Sequence, residues 1–152
     1  MSQTANRSSS LLSLAGCPGD DVKTLLRSVG LRPTRQRVAL GWLLFGKGNR
    51  HVTAEVLHLE ATQARVPVSL ATVYNTLNQF TGAGILRHLR FDRSRSFFDT
   101  NTSMHHHFFV EGENLLIDVS ADDLRLGKIP TPPEGYEISR IEVAVHLSAK
   151  GR

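Results

Sequence analysis

The chain has 152 residues, a hydrophobic content of 40% and a formal net charge of +4, which suits one domain or two small ones and excludes a fully disordered chain. No run of about 18 apolar residues is present to cross a bilayer, so we expect a cytoplasmic protein without membrane contact. The single cysteine, Cys17, excludes an internal disulfide and the common zinc sites that use pairs of cysteines.

The amino terminus differs in composition from the segment that follows it. Residues 1–19 are rich in serine, contain one arginine and no acidic residue, and are predicted to form a mobile arm. Order is expected to begin at Asp20. From there, apolar residues at helical spacing predict a first helix that ends at Gly30. These apolar residues are Val22, Leu25, Leu26 and Val29.

Two further helices are predicted to begin at threonines that can cap them, Thr34 and Thr53. The second of these helices must end before Pro67, because proline lacks the backbone N–H that continues a helix. The helix that begins at Thr34 exposes Arg35 and Arg37 in its first turn. We expect these two arginines to contact DNA phosphates at the flank of a binding site.

A fourth helix is predicted after a short turn, so that the third and fourth helices form a candidate helix-turn-helix. One face of this fourth helix is apolar, and the other carries little charge and many hydrogen-bonding groups. Such a face suits the reading of base edges and phosphates in a major groove. On helix content alone, an ordinary amphipathic surface helix is an equal alternative. The residues expected to contact DNA are Ser69, Thr72, Tyr74 and Asn75.

The pattern after the fourth helix favours the DNA-binding interpretation. Residues 85–91 and 96–100 are predicted to form two strands joined by a polar turn. A two-stranded wing directly after a helix-turn-helix is typical of a winged-helix domain, which we place at residues 20–101. Four arginines are expected to add phosphate contacts. They are Arg87, Arg90, Arg93 and Arg95.

Three adjacent histidines, His105, His106 and His107, lie where the charge of the chain changes sign. Residues 1–103 hold 13 Lys+Arg against 6 Asp+Glu, whereas residues 104–152 hold 5 against 8. Neutral imidazole is a common ligand of borderline metals, so a metal at this junction would report to a nucleic-acid reader. The alternative is a solvated polar turn, and the residues by themselves leave both open.

Residues 102–152 are predicted to form a second, smaller α/β domain. Strands are expected at 108–110, 114–119 and 136–147, with a short helix after Ser120. The strands expose more apolar surface than about 45 residues can bury alone, so we expect a homodimer formed through this domain. A two-fold dimer in turn implies a double-stranded DNA operator with inverted half-sites.

Four separated motifs together resemble the ferric uptake regulator family. They are Leu31-Arg-Pro-Thr-Arg-Gln-Arg37, His51-Val-Thr-Ala-Glu55, Ser69-Leu-Ala-Thr-Val-Tyr-Asn-Thr-Leu77, and Phe98-Asp99 before the histidines. The resemblance implies an α+β fold, with an N-terminal winged helix-turn-helix domain, a C-terminal α/β dimerisation domain and metal between them. Within the family, the adjacent histidines and Gly16-Cys17-Pro18 resemble the iron response regulator branch of rhizobia and relatives.

The resemblance also implies two metal sites that bind a divalent ion, Fe²⁺, Mn²⁺ or Zn²⁺. The hinge site of the family corresponds here to His51, Asp99, His106 and Asp118. The second site corresponds to His105, His107 and His146. The chain departs from the family pattern at Phe108, which replaces a histidine ligand, and at Val110 and Glu113, which replace the cysteines of a structural zinc site.

Haem is another ligand that the resemblance suggests. A Cys-Pro pair can offer axial thiolate to haem iron, and clustered histidines can offer axial imidazole. The candidate haem ligands are Cys17, His105, His106 and His107. An ordinary exposed thiol is the alternative for Cys17.

The prediction for the whole chain is a homodimeric, DNA-binding transcriptional regulator that senses iron or haem. One alternative is a regulator of the same family that responds to zinc, manganese or peroxide. Another is a metal-dependent hydrolase that activates water with Asp99 and the histidines, although no His-Glu-x-x-His or Gly-x-Ser-x-Gly motif is present. A third is a haem or metal carrier that binds no DNA, against which the arginine-tipped wing argues.

Overall fold

The structure is a computed structural model that describes residues 18–91, 93 and 95–151. The chain divides into two compact units, the first ending at Thr102 and the second starting at Ser103. The arm predicted for residues 1–19, with Cys17, lies outside the described residues except for its last two positions, which belong to a helix. No helix in the described part of the chain is long and apolar enough to cross a membrane.

Helices make up most of the first unit. They are α1 (Pro18–Ser28), α2 (Arg35–Phe45), α3 (Ala54–Gln63) and α4 (Leu70–Gly82). The predicted caps are confirmed, since the side chains of Thr34, Thr53 and Ser69 each accept a hydrogen bond from the backbone N–H three residues later. Each such bond satisfies a donor that a helix start leaves open and contributes about 1 kcal/mol. α1 begins two residues before the predicted start at Asp20, consistent with the preference for proline in a first turn.

A three-stranded antiparallel sheet completes the first unit. Its strands are β1 (His51–Val52), β2 (Arg87–Leu89) and β3 (Phe97–Asp99), and β3 lies in the middle. The prediction of a two-stranded wing missed β1, because a strand of two residues has no periodicity and its partner is distant in the sequence. The two predicted strands are also shorter than expected, since their pairing stops at Leu89 and Phe97.

One hydrophobic core holds the four helices of the first unit together. α1 and α2 approach closely at Gly41, where a Cβ atom would lie 2.6 Å from Cγ1 of Val22. Burial of each leucine side chain contributes roughly 1.5–3 kcal/mol, so this core fixes α4 firmly against the other helices. The fully buried leucines of the helices are Leu26, Leu40, Leu44, Leu57 and Leu77.

The second unit contains a sheet of three strands. They are β4 (His105–Val110), β5 (Leu115–Ser120) and β6 (Ala144–Leu147), and β4 lies in the middle. β4 is antiparallel to β5 and parallel to β6. The helical part of the described unit is a single 3-10 turn, Ala121–Asp123, whose cap is Ser120. Together the two units give the predicted α+β fold class.

Three local predictions for the second unit were wrong. The strand expected at 108–110 starts at His105, so the adjacent histidines are strand residues and not a turn. The strand expected at 136–147 is confined to β6, because only the residues opposite His107–Val110 find a neighbouring strand to pair with. The expected short helix ends after one turn, where Leu124 adopts an extended backbone.

Candidate nucleic-acid interface and metal ligands

The proposed recognition helix, α4, separates a buried face from a polar one. Val73, Leu77 and Phe80 are fully buried, whereas the opposite face is polar. On that face Thr72 is half-buried, and Asn75, Asn78 and Gln79 are exposed. At the start of the helix, the Ser69 hydroxyl accepts from the backbone N–H of Thr72 at 3.1 Å and lies 2.9 Å from the Thr72 hydroxyl. The helix therefore presents two hydroxyls and an amide at its first turns, as base reading requires.

Tyr74 lies between the two faces and connects α4 to α3. Its ring is half-buried against the core, and its hydroxyl donates to Oε1 of Glu55 at 2.7 Å. This bond holds the pKa of the Glu55 carboxyl below its ordinary value and raises the pKa of Tyr74. Sequence reasoning assigned Glu55 only to the first turn of α3, because nothing in the sequence relates it to a residue in α4.

The two arginines predicted at the flank have different surroundings. Arg35 is exposed in the first turn of α2. Arg37 donates from Nε and Nη2 to Oε1 of Gln79 at 3.1 and 3.0 Å, and from Nη1 to the carbonyl of Arg32 at 2.8 Å. The guanidinium of Arg37 thus joins α2 to α4, a structural role that the sequence did not reveal.

The arginines of the wing also differ from one another. Arg87 is only 7% exposed, so the prediction that it contacts phosphate was wrong. Arg90 is exposed, and its Nε lies 3.4 Å from Nε2 of His88, whose ring stacks on Phe98 at a centroid distance of 4.8 Å. Burial lowers the pKa of His88, and the charge of Arg90 lowers it further. Arg93 and Arg95 are exposed, as phosphate contacts would require.

Two predicted metal ligands of the first unit lie side by side on paired strands. His51 on β1 is opposite Asp99 on β3, and its Nε2 lies 3.3 Å from Oδ2 of Asp99. The Asp99 side chain is 1% exposed, and its Oδ1 accepts from the backbone N–H of Asn101 at 2.8 Å. A carboxylate so deeply buried is costly unless its oxygens are paired, so this pair is held in a fixed geometry.

In the second unit, the structure brings His105 and His107 together with Asp118. The two histidines alternate along β4 onto one face, where Oδ1 of Asp118 lies 3.4 Å from Nε2 of His105 and 3.6 Å from Nε2 of His107. One possible ligand atom from each residue lies within 4.8 Å of the others. Nδ1 of His105 lies 2.8 Å from the carbonyl of Ser103, and a hydrogen bond from this nitrogen leaves Nε2 available to a metal.

The burial of the adjacent histidines rules out the solvated turn. His105, His106 and His107 are 5%, 5% and 2% exposed. Two imidazoles and one carboxylate form a donor set that suits Zn²⁺, Fe²⁺ or Mn²⁺, with the carboxylate offsetting part of the charge of the ion. The donor chemistry of these residues therefore fits a divalent metal.

Two other predicted ligands lie apart from this group. His106 faces the opposite side of the sheet, where its Nδ1 accepts from the backbone N–H of Val143 at 3.2 Å. His146 is exposed, with Nδ1 3.3 Å from Oε1 of Glu111 and its ring edge-on to Phe109. The structure therefore groups the metal ligands differently from the two metal sites that the resemblance implies. Asp118 lies beside His105 and His107, and not beside His106.

Comparison with known proteins agrees with the motifs. A model of the ferric uptake regulator family matches residues 28–146. The chain is 39% identical over 87 residues to the ferric uptake regulation protein of Shigella flexneri, covering 57% of the chain and 58% of that protein. It is 34% identical over 107 residues to the Klebsiella pneumoniae protein of the same name, covering 70% and 69%.

A solved structure shares the fold. The ferric uptake regulator from Pseudomonas aeruginosa with manganese is 25% identical to the chain and superposes with a TM-score of 0.68. The superposition covers 86% of this chain and 98% of that one. The match to the family model therefore extends beyond the first unit and includes the residues of β4 and β5.

Proposed function

Because the chain belongs to the ferric uptake regulator family, we propose that it is a DNA-binding transcriptional regulator whose operator affinity depends on a divalent metal ion. The observation that carries the proposal is a group of two buried imidazoles and one carboxylate, His105, His107 and Asp118, in a chain that also has a winged-helix unit. Fe²⁺, Mn²⁺ and Zn²⁺ all accept this mixture of nitrogen and oxygen donors.

Residues 20–101 act as the DNA-binding domain in this proposal. α4 enters the major groove, where Ser69, Thr72, Tyr74 and Asn75 contact base edges and phosphates. Arg35 neutralises phosphate at the flank, and Arg37 supports α4 from α2 while remaining a candidate for a phosphate contact. The exposed position of Asn75 and the capped start of the helix support this assignment.

Residues 102–152 act as the dimerisation and metal-sensing domain. One face of its sheet leaves Leu115 46% exposed and Ile117 43% exposed, and a second copy of the chain would cover these side chains. The functional unit is then a homodimer, and its partner is an operator with inverted half-sites. A location in the cytoplasm stays a prediction.

The main ligands of the metal in this proposal are Nε2 of His105, Nε2 of His107 and a carboxylate oxygen of Asp118. A bound divalent ion would supply positive charge to these three side chains and fix them in one arrangement. His51 and Asp99 are a further candidate pair in the first unit. The roles that the resemblance gives to His106 and His146 stay predictions, because each has another hydrogen-bonding partner.

Iron is the ion that the proposal favours. The adjacent histidines together with Gly16-Cys17-Pro18 resemble the iron response regulator branch, and on this resemblance we propose a regulator of iron and haem homeostasis. The divalent metal is favoured over haem as the ligand of the second unit, because His105 and His107 are buried and already face a carboxylate. Haem binding through Cys17 remains a separate proposal, tested by a haem titration of wild type and Cys17→Ala followed by absorption spectroscopy.

The experiment is a DNA-binding titration on chelator-treated protein with and without each metal, using an operator selected from random DNA and a scrambled site. We expect metal to raise or lower operator affinity, and the operator to change metal affinity by the same factor, because coupling free energies are reciprocal. Fe²⁺ is expected to give the largest effect. Mn²⁺, Zn²⁺ and peroxide-treated Fe²⁺ protein are the arms that test the other regulators of the family.

Two results would contradict the proposal. A protein that binds metal but shows no salt-dependent binding to either DNA would be a carrier. Operator binding that is equal with and without every metal would remove the sensing role and leave the DNA-binding role in place. The hydrolase is set aside because the family is one of regulators.

A further inference from the structure

The hydroxyl of Tyr74 has a single proton, and that proton is already committed within the protein. The acceptor is Oε1 of Glu55, 2.7 Å away in the first turn of α3. A carboxylate can only accept, so the direction of the bond is fixed as long as Glu55 is ionised. The lowered pKa of Glu55 and the raised pKa of Tyr74, both caused first by this hydrogen bond, keep the two groups in these states near neutral pH.

We propose that Glu55 sets the base preference of the recognition helix by taking the only hydroxyl proton of Tyr74. The inference rests on the proposed function, in which α4 reads the major groove. With its proton directed to Glu55, the Tyr74 oxygen presents only lone pairs to DNA. The pair Glu55 and Tyr74 is thus a surface of acceptors, and it selects base edges that donate.

The major groove offers such donors on two bases only. Adenine presents its N6 amine and cytosine its N4 amine, whereas guanine presents O6 and N7 and thymine presents O4, all of which are acceptors. A tyrosine with a freely rotating hydroxyl would accept from the first two and donate to the others. The bond to Glu55 removes the ability of the Tyr74 hydroxyl to donate to guanine or thymine. The contact of Tyr74 with DNA is therefore selective for adenine or cytosine.

The geometry of the pair keeps this selection in place. The Tyr74 ring packs against the core of the first unit, which limits the movement of the hydroxyl. Glu55 is exposed, and its backbone is held at the start of α3 by the Thr53 cap. An exposed carboxylate beside the reading face also repels phosphate, which disfavours binding modes in which α4 lies against the DNA backbone.

The experiment measures binding to a selected operator and to its variants with each base at each position of the half-site. The proteins are wild type, Glu55→Ala, Glu55→Gln, Tyr74→Phe and the double variant Glu55→Ala/Tyr74→Phe. Asp21→Ala is the matched control, because it removes an equal charge from α1. Circular dichroism verifies that each variant is folded. If Glu55→Ala does not fold, Glu55→Gln still tests the role of the carboxylate.

We expect wild type to prefer adenine or cytosine at one position of each half-site by about tenfold, the size of a good base contact. Tyr74→Phe and Glu55→Ala should both lose that preference, and the double variant should resemble Tyr74→Phe, because Glu55 acts through Tyr74. Glu55→Gln should retain most of it, since the amide oxygen accepts the same proton. Asp21→Ala should keep the full preference.

The outcomes separate this inference from the proposed function. If wild type binds selected and scrambled DNA equally, both are overturned. If wild type discriminates between them but Glu55→Ala keeps the preference that Tyr74→Phe loses, only the role of Glu55 is overturned. The role of Glu55 is also overturned if Asp21→Ala loses the base preference, because the loss in Glu55→Ala would then come from the removal of a negative charge alone. A loss of affinity that is uniform over all bases in Glu55→Ala would also overturn it.

Discussion

At the scale of single residues, burial decides what the histidines of β4 can do. His105 and His107 are buried and share one carboxylate, Asp118, whose side chain is 40% exposed. A metal would need the imidazoles neutral and the carboxylate ionised, and the carboxylate would then offset the charge of the ion. Asp118 is therefore the residue whose charge matters most for metal affinity.

The substitution Asp118→Asn tests that charge with little change of shape. We expect the dissociation constant for Mn²⁺ or Zn²⁺ to rise by at least about tenfold, because the site loses its anionic ligand. The measurement is a calorimetric or chelator-competition titration. Glu111→Gln is the matched control, since this carboxylate lies beside the exposed His146, and it should leave the affinity unchanged. Equal effects of the two substitutions would contradict the grouping of His105, His107 and Asp118.

His106 and His107 are neighbours with opposite expected roles. His107→Ala should abolish most metal binding, because it removes a ligand that faces Asp118. His106→Ala should leave metal binding largely intact but destabilise the second unit by about 1 kcal/mol, since the backbone N–H of Val143 loses its acceptor. Metal titration and urea unfolding of both variants provide the measurement. Loss of metal binding in His106→Ala would favour the ligand set implied by the resemblance.

At the scale of the helices and strands, polar side-chain contacts join elements of the first unit, among them α2 and α4. Arg37 at the start of α2 bonds to Gln79 near the end of α4, and the Arg50 guanidinium binds both oxygens of Glu60 in α3 at 3.0 and 2.6 Å. Bidentate arginine–carboxylate pairs fix geometry as well as adding energy. The position of the recognition helix thus depends on polar contacts around the core as well as on the core itself.

Arg35 and Arg37 should therefore respond differently to alanine substitution. Arg35→Ala should leave the unfolding free energy unchanged and reduce the slope of log affinity against log salt by about one unit, because one phosphate contact is lost. Arg37→Ala should lower the unfolding free energy by about 1–2 kcal/mol through its lost hydrogen bonds. Urea unfolding and DNA titrations at several salt concentrations distinguish the two. A stable Arg37→Ala protein would show that the contact with Gln79 is incidental.

The Arg50–Glu60 pair gives the first unit an acid-sensitive component of its stability. The hydrogen bond from Arg50 lowers the pKa of Glu60. A carboxyl whose pKa is lowered in the folded state stabilises that state above its unfolded pKa, about 4.3, and loses this contribution as the pH falls through the folded pKa. Glu60→Gln should therefore flatten the decline of unfolding free energy below about pH 4.3, measured by urea unfolding between pH 3 and 7. An unchanged pH profile would contradict this role.

The sequence predicted those features that local chemistry determines. The caps Thr34, Thr53 and Ser69 are evident within four residues, and the apolar faces of the helices follow from spacing. β1 and the Tyr74–Glu55 bond depend on partners brought together by the fold, so no periodicity revealed them. The sequence left the histidines open between a metal site and a solvated turn and predicted the strand only from Phe108, whereas β4 begins at His105. Alternation along a strand that includes them puts His105 and His107 on one face.

At the scale of the whole molecule, the sheet of the second unit has two chemically different faces. His105, His107 and Asp118 share one face, whereas Leu115 and Ile117 lie on the other and are 46% and 43% exposed. Contiguous exposed apolar side chains on a sheet mark an interface more often than an ordinary surface. A two-fold homodimer formed on this face leaves the metal ligands unobstructed and supplies two recognition helices to one operator.

Ile117→Asp should convert the dimer into a monomer, because the interface would have to bury two unpaired carboxylates. Sedimentation should show wild type as a dimer at micromolar concentration and the variant as a monomer. Leu59→Asp, which places the same charge on an exposed apolar residue of the first unit, should remain dimeric. The monomer should bind an operator with inverted half-sites no more tightly than a single half-site, since its second recognition helix is no longer tethered to the first. A wild-type protein that sediments as a monomer, or a variant that stays dimeric, would show that this face of the sheet is not the interface.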